Sequence, residues 1–262
     1  MGEASKEITL NIPGIIMAIS FEILFPIILS IIWTLKFKGK ILHISIGLAG
    51  FFISVSILES LFLYIIGLLK IEILYYIIAG MSPGIFEETA RYICLLLIFK
   101  NDKQKKISVS YGIGHGGLES MLIGVNLLTT LILKDELIRR GTLKNSIGFY
   151  EYLMSALERF FAVIYHIASS VLVFKAVSEK KIILYIVAII IHDLVDIFPL
   201  LYQLGVIDSL IIIELIFAVS SSCFAFFAYK LYINIKDYND ELEQNIAGDN
   251  IVETIEPSNS FS

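Results

Sequence analysis

The stretch Ile85-Phe86-Glu87-Glu88-Thr89-Ala90-Arg91-Tyr92-Ile93-Cys94-Leu95 puts three ionisable side chains within five residues of a run that otherwise reads as lipid-soluble. An ionisable group at the centre of a membrane helix costs about 2.5–3.5 kcal/mol on insertion scales. Side chains of that cost turn toward the interior of a bundle, where they find partners. The stretch therefore predicts several helices packed around it.

The rest of the chain supplies those helices. It is 57% hydrophobic, and its mean hydropathy is +0.82, far above a soluble globular domain. The expected fold is all-α, a polytopic transmembrane helix bundle with the site inside it. Seven spans are read, at about residues 8–34, 41–67, 72–99, 107–133, 151–174, 181–203 and 208–234. The first run is too long for a signal-peptide core and lacks a basic leader and a small-residue cleavage site, so it reads as a retained helix. No internal repeat is evident. Residues 1–236 are expected to form a single membrane-embedded domain, and 237–262 an acidic, disordered cytoplasmic tail.

The formal charge of −5 belongs to that tail, which holds seven acidic residues and no basic one. Residues 1–236 carry 20 basic and 18 acidic groups, a net of +2. Basic residues gather at helix ends rather than on a face interleaved with aromatics, which argues against nucleic-acid binding. Cys94 and Cys223 both lie in apolar segments and read as small core residues, not as a disulfide or a thiolate metal cage.

Twelve basic residues flank alternate span ends: Lys36, Lys38 and Lys40; Lys100, Lys103, Lys105 and Lys106; Lys175, Lys180 and Lys181; Lys230 and Lys236. The opposite ends hold six, namely Lys6, Lys70, Lys134, Arg139, Arg140 and Lys144. The positive-inside rule then puts the N-terminus outside and the C-terminus in the cytoplasm of a multi-pass cell-membrane protein, with the 135–150 loop as the dissenting segment.

Four spans carry unusual polar residues. The third has Glu87, Glu88 and Arg91; the fourth has His115 and Glu119 in Gly112-Ile113-Gly114-His115-Gly116-Gly117-Leu118-Glu119-Ser120. The fifth has Glu158, Arg159 and His166, and the sixth has His192, Asp193 and Asp196. Glu88 is 12 residues from Lys100, His115 is 9 from Lys106, His166 is 9 from Lys175 and His192 is 11 from Lys181. At ~1.5 Å per residue these depths are about 13–18 Å. All four residues therefore share a level near the middle of a hydrocarbon core of ~30 Å. Three histidines and a glutamate at one depth on four helices make a candidate site.

Spacing within the helices supports it. Arg91 is i+4 from Glu87 and i+3 from Glu88, so it can neutralise one of them. His115 with Glu119, and His192 with Asp196, are i,i+4 pairs in which the acid can orient the imidazole or serve as a second ligand. The glycines around His115 suit close helix packing or backbone approach to a substrate. Gly80-Met81-Ser82-Pro83-Gly84 predicts a bend, with a new helix beginning near Ile85 and Glu87 and Glu88 in its first turn. Glu158–Arg159 reads as a structural pair nearer the outer surface, His43 as interfacial and Asp193 as a solvating group. Glu22, Glu59 and Glu214 are lone carboxylates left outside the site.

The order and spacing of these residues resemble the YhfC family of intramembrane proteases, in the wider group that includes PrsW-like and CAAX-processing (CPBP) membrane proteases. The matching elements are Glu87-Glu88-x-x-Arg91-Tyr92, Gly112-x-Gly114-His115-Gly116-Gly117-x-Glu119-Ser120, His166 and His192-x-x-x-Asp196, over about residues 80–200. The CAAX-type relatives usually have three residues between the glutamate pair and the arginine and an asparagine where Asp196 stands, and PrsW-like proteins usually have lysine at Arg91. Their substrates therefore do not transfer.

The resemblance implies peptide-bond hydrolysis within the membrane. Glu88 or Glu87 would act as general base on water, the other glutamate pairing with Arg91. His115, His166 and His192 would be ligands to Zn²⁺, with Asp196 and Glu119 as supporting or alternative ligands. A metal-free glutamate protease uses the same geometry, the histidines then stabilising the oxyanion. The implied partner is a membrane protein or peptide substrate in the lipid bilayer. The competing class is a proton-coupled small-molecule transporter or substrate-binding subunit, since broken helices and midplane carboxylates also build such sites. A non-catalytic scaffold is a third reading.

Overall fold

The computed structural model describes residues 8–143 and 145–235, with the backbone alone at Gln203. The expected acidic tail and Lys6, Lys144 and Lys236 lie outside the described residues.

Among the described residues eight helices follow one another: α1 (Ile12–Phe37), α2 (Ile41–Gly67), α3 (Glu72–Phe99), α4 (Lys106–Ile132), α5 (Lys134–Arg139), α6 (Phe149–Ser178), α7 (Ile182–Gln203) and α8 (Leu210–Asn234). No strand occurs among the described residues; Leu10 and Ile147 form one isolated bridge. All the long helices match the seven expected spans, and five of them, α1, α2, α6, α7 and α8, are long and apolar enough to cross a membrane. The other two, α3 and α4, have the length but carry the polar residues of the candidate site. The fold is an all-α membrane bundle.

Local chemistry sets the helix limits. Asn11 caps α1, its Oδ1 accepting from Gly14 N at 2.8 Å ahead of Pro13. Lys38 takes the left-handed conformation at the far end. Ser209 caps α8. Where a sequence reading expects 8–11 to be helical, these residues run beside the 146–147 segment: Asn11 N donates to Ile147 O at 3.0 Å and Ile147 N to Thr9 O at 3.1 Å.

The expected break before Glu87 does not occur. Helix α3 runs from Glu72 to Phe99 with Pro83 inside it, so Glu87 and Glu88 lie mid-helix rather than in a first turn. Proline lacks the N–H that Ala79 O would accept. Ser82 Oγ lies 3.5 Å from that oxygen and donates to Glu59 Oε1 of α2 at 2.6 Å. Neighbouring side chains thus absorb the defect, as they commonly do in membrane helices. The irregular turn is in α2 instead, where Phe52–Glu59 is π-helical.

Helices α4 and α6 are the centre of the bundle. The most apolar window of α6 is 72% buried, against 11–33% for the other four apolar spans. Glycines bring α4 into backbone contact on two sides. A Cβ at Gly114 would stand 2.0 Å from Ile44 O of α2, and one at Gly112 would stand 2.6 Å from Ile167 Cα of α6. The outward surface is apolar, with Leu35, Ile73, Ile132 and Val206 among the most exposed side chains. That coat suits lipid, because the apolar tails replace the buried partners that a soluble protein would need.

The helix ends sort as the charges suggest. Lys40 pairs with Asp102, and Lys105 Nζ donates to Ile235 O at 3.3 Å, so the lysine-rich ends share one side. The bridge at Leu10 and Ile147 puts the lysine-poor ends on the other. In the dissenting loop, both Arg139 and Arg140 pair with Glu136, which reduces their weight in the charge count. His43, expected at an interface, is buried and stands 3.9 Å from Asp102.

Candidate active site

The residues singled out on α3, α4, α6 and α7 converge. Glu87, Glu88, Arg91, His115, His166 and His192 are all buried. The His115 and His166 rings are 4.9 Å apart and the His166 and His192 rings 5.7 Å. Their common focus is Glu87 Oε2, which is 2.8 Å from His115 Nε2, 3.8 Å from His166 Nδ1 and 3.9 Å from His192 Nε2.

Glu88 has a different environment. Its Oε1 accepts from Arg91 Nη1 and from His192 Nδ1, the latter at 2.8 Å, and its Oε2 accepts from Ser169 Oγ at 2.8 Å. Arg91 therefore pairs with the i,i+3 glutamate, and Glu87 is left facing the imidazoles. A buried carboxylate with partners on both oxygens is a fixed anchor. By orienting Nδ1–H of His192, Glu88 turns Nε2 of that ring toward Glu87.

A second chain of the same kind backs His166. Arg91 Nη2 lies 3.0 Å from His166 Nδ1, and a guanidinium can only donate, so Nδ1 is the acceptor and Nε2 carries the hydrogen. Nε2–H donates to Glu119 Oε2 at 2.5 Å, and Arg159 donates from Nη1 to Glu119 Oε1 and from Nη2 to Glu158 Oε1 at 2.6 Å. Two Arg–Glu–His chains, Arg91–Glu88–His192 and Arg159–Glu119–His166, thus meet at Glu87. Asp196 Oδ2 is 3.4 Å from His192 Nε2, as the i,i+4 spacing predicts.

The other i,i+4 expectation is redirected. Glu119 reaches across to α6 instead of orienting His115 on its own helix, because Gly112 and Gly116 let α6 come close enough to be the nearer partner. Arg159, read from sequence as a structural residue near the surface, is buried and tied to Glu119. Ser169 escaped notice altogether. The available signal was position: Ser169 is three residues after His166, and Arg159 is seven before it, so both share its helix face. Asp193 Oδ1 lies where a Cβ on Gly84 would fall, 2.1 Å away, so that glycine allows α7 to approach α3.

The donor set suits a divalent cation. Ligand atoms of Glu87, His115 and His166 all lie within 4.8 Å of one another. His192 Nε2 faces the same glutamate oxygen, and His115 Nδ1 has no hydrogen-bond partner among the described residues. Imidazoles with a carboxylate are the ligand types Zn²⁺ takes in catalytic sites. Cys94 and Cys223 are both free thiols and take no part.

The uncharacterized membrane protein YhfC of Bacillus subtilis (strain 168) is 25% identical over 240 residues, spanning 81% of this chain and 92% of its own length. No solved structure matches the chain. A family model described as YhfC intramembrane metalloprotease matches residues 21–217, which takes in all four helices that build the site. The chain belongs to the YhfC intramembrane metalloprotease family.

Proposed function

We propose that this protein is an intramembrane endopeptidase that hydrolyses peptide bonds of membrane-associated substrates, and that Glu87 is its general base. The observation that carries the reading is the convergence of three buried imidazoles on one oxygen of Glu87. The name of the family supports the same activity.

His115, His166 and His192 would hold a cation such as Zn²⁺, which supplies Lewis-acid polarisation of the scissile carbonyl and of water. Glu87 takes the proton from the attacking water and returns it to the leaving amine. Glu88 and Glu119 hold the rings of His192 and His166 in the tautomers described above. Arg91 and Arg159 compensate those carboxylates, so neither is left as an unpaired charge in a low dielectric.

One contact favours a metal-free glutamate protease as the second reading: Arg91 Nη2 occupies His166 Nδ1, a nitrogen that a metal would need. Metal content of the purified protein, with cleavage before and after chelation, separates the two. Full cleavage by metal-free protein selects the second. The transporter reading rests on a broken third helix as well as on midplane carboxylates and histidines, and of these the break is absent, since α3 is continuous.

The activity itself is tested in cells. Fragments of membrane proteins present with the native chain should disappear with Glu87→Gln while the protein stays at normal abundance in the membrane. An unchanged fragment pattern would refute the proteolytic reading.

A further inference from the structure

The polar groups around Glu87 are not spread evenly along the bundle axis. Toward the lysine-rich ends, each helix follows its site residue with a buried residue one turn away. These are Leu95 after Arg91, Tyr111 before His115, Ser170 after His166 and Ala188 before His192. Leu95, Tyr111 and Ala188 belong to one apolar cluster with Leu172, Phe174 and Phe224, which closes that end.

Toward the lysine-poor ends the pattern reverses. Side-chain exposure is 0% at Glu88 and 8% at Glu87, and rises to 23% at Glu119, 30% at Asp196 and 32% at Glu158. Glu119 and Asp196 each lie one turn beyond a site histidine on α4 and α7, and Glu158 lies two turns beyond His166 on α6. Three separate helices therefore give the same gradient. One buried atom on this side, Arg159 Nε, has no hydrogen-bond partner among the described residues.

Carboxylates exposed at this depth cannot face lipid cheaply. Non-apolar surface inside the bilayer is tolerated where it lines a water-filled cavity, and buried polar atoms without protein partners are those that water serves. We infer that the Glu87 centre opens through an acid-lined vestibule, bounded by Glu119, Glu158 and Asp196, toward the lysine-poor side of the membrane. By the charge rule that side is the outer one. Resting on the proteolytic reading above, water and the scissile segment reach Glu87 from this side, and the apolar cluster seals the cytoplasmic one.

Site-directed labelling tests the vestibule without requiring cleavage. In a full-length chain with Cys94 and Cys223 replaced by alanine, Glu158→Cys and Asp196→Cys are introduced separately, and Ala188→Cys serves as the marker of the sealed end. A membrane-impermeant maleimide is added to right-side-out and to inverted vesicles. Labelling of the Glu158 and Asp196 positions only in right-side-out vesicles, with loss of labelling at Ala188→Cys in both, supports the inference. Labelling from the lysine-rich face, protection of both vestibule positions from both faces, or a reactive Ala188→Cys overturns it. If either vestibule variant fails to reach the membrane folded, the other carries the test. Normal labelling, together with a fragment pattern that Glu87→Gln leaves unchanged in the otherwise native chain, would retire the enzyme reading and leave the vestibule standing.

Discussion

Glu119 Oε2 stands 2.5 Å from Nε2 of His166, a residue of another helix, although His115 is one turn away on its own. That choice of partner ties α4 to α6 through a hydrogen bond to a carboxylate and leaves His115 to Glu87. It also makes the acid that orients His166 answerable to Arg159.

Arg159→Gln is expected to act through His166. Loss of one partner from a buried charge pair costs about 3–5 kcal/mol, and loss of the group that orients a ligand histidine costs about 10–100-fold in metal affinity or activity. Zinc titration of the purified variant, alongside thermal unfolding in detergent, should show weakened binding in protein that remains folded at low temperature. Unchanged zinc affinity with lowered stability would make Arg159 a packing residue only.

The two glutamates should respond differently to the same change. Glu87→Gln keeps the fold and abolishes cleavage. Because Glu87 acts as base while the histidines hold the cation, bound metal stays near the native level. Glu88→Gln leaves Arg91 without its buried counter-charge, so it should lower the unfolding temperature and the yield as well as activity. Cleavage rates read together with metal content and melting curves separate these outcomes; equal stability losses in both variants would contradict the assignment.

Histidine replacement and chelation make a linked prediction. His115→Ala, His166→Ala and His192→Ala should each reduce metal content of the purified protein, and a chelator should abolish cleavage in a manner reversed by added Zn²⁺. Retention of full metal content by the His192 variant would remove that residue from the ligand set.

The α2–α4 contact should not admit a methyl group. Gly114→Ala places a Cβ 2.0 Å from Ile44 O, a backbone atom that cannot step aside alone. Overpacking of this kind costs about 1–3 kcal/mol. Gly141→Ala is not a useful control, since that residue has φ +70°. Gly67→Ala is better, because the nearest atom there is 3.8 Å away on the Tyr75 side chain. The melting temperature should fall for Gly114→Ala and hold for Gly67→Ala.

Sequence alone determined the class of protein, the seven long helices and most of the polar residues that the fold brings together. The physical reason is the bilayer: it demands long apolar runs and penalises every ionisable group within them, so Glu87, Arg91, His115 and His192 stand out without any knowledge of their neighbours. Counting from the lysine clusters even placed them at one depth, because helical rise is uniform. Partner choice was not legible, since it depends on which helices touch and how closely. Spacing offered Arg91 either glutamate and offered Glu119 to His115, while the packed bundle gave Glu88 to Arg91 and Glu119 to His166. Nor could local propensity foresee that Pro83 would remain inside a continuous helix with Ser82 and Glu59 beside it. Only tertiary structure decided these points, because a proline defect or a buried charge takes its energy from whichever neighbour packing brings within hydrogen-bond reach.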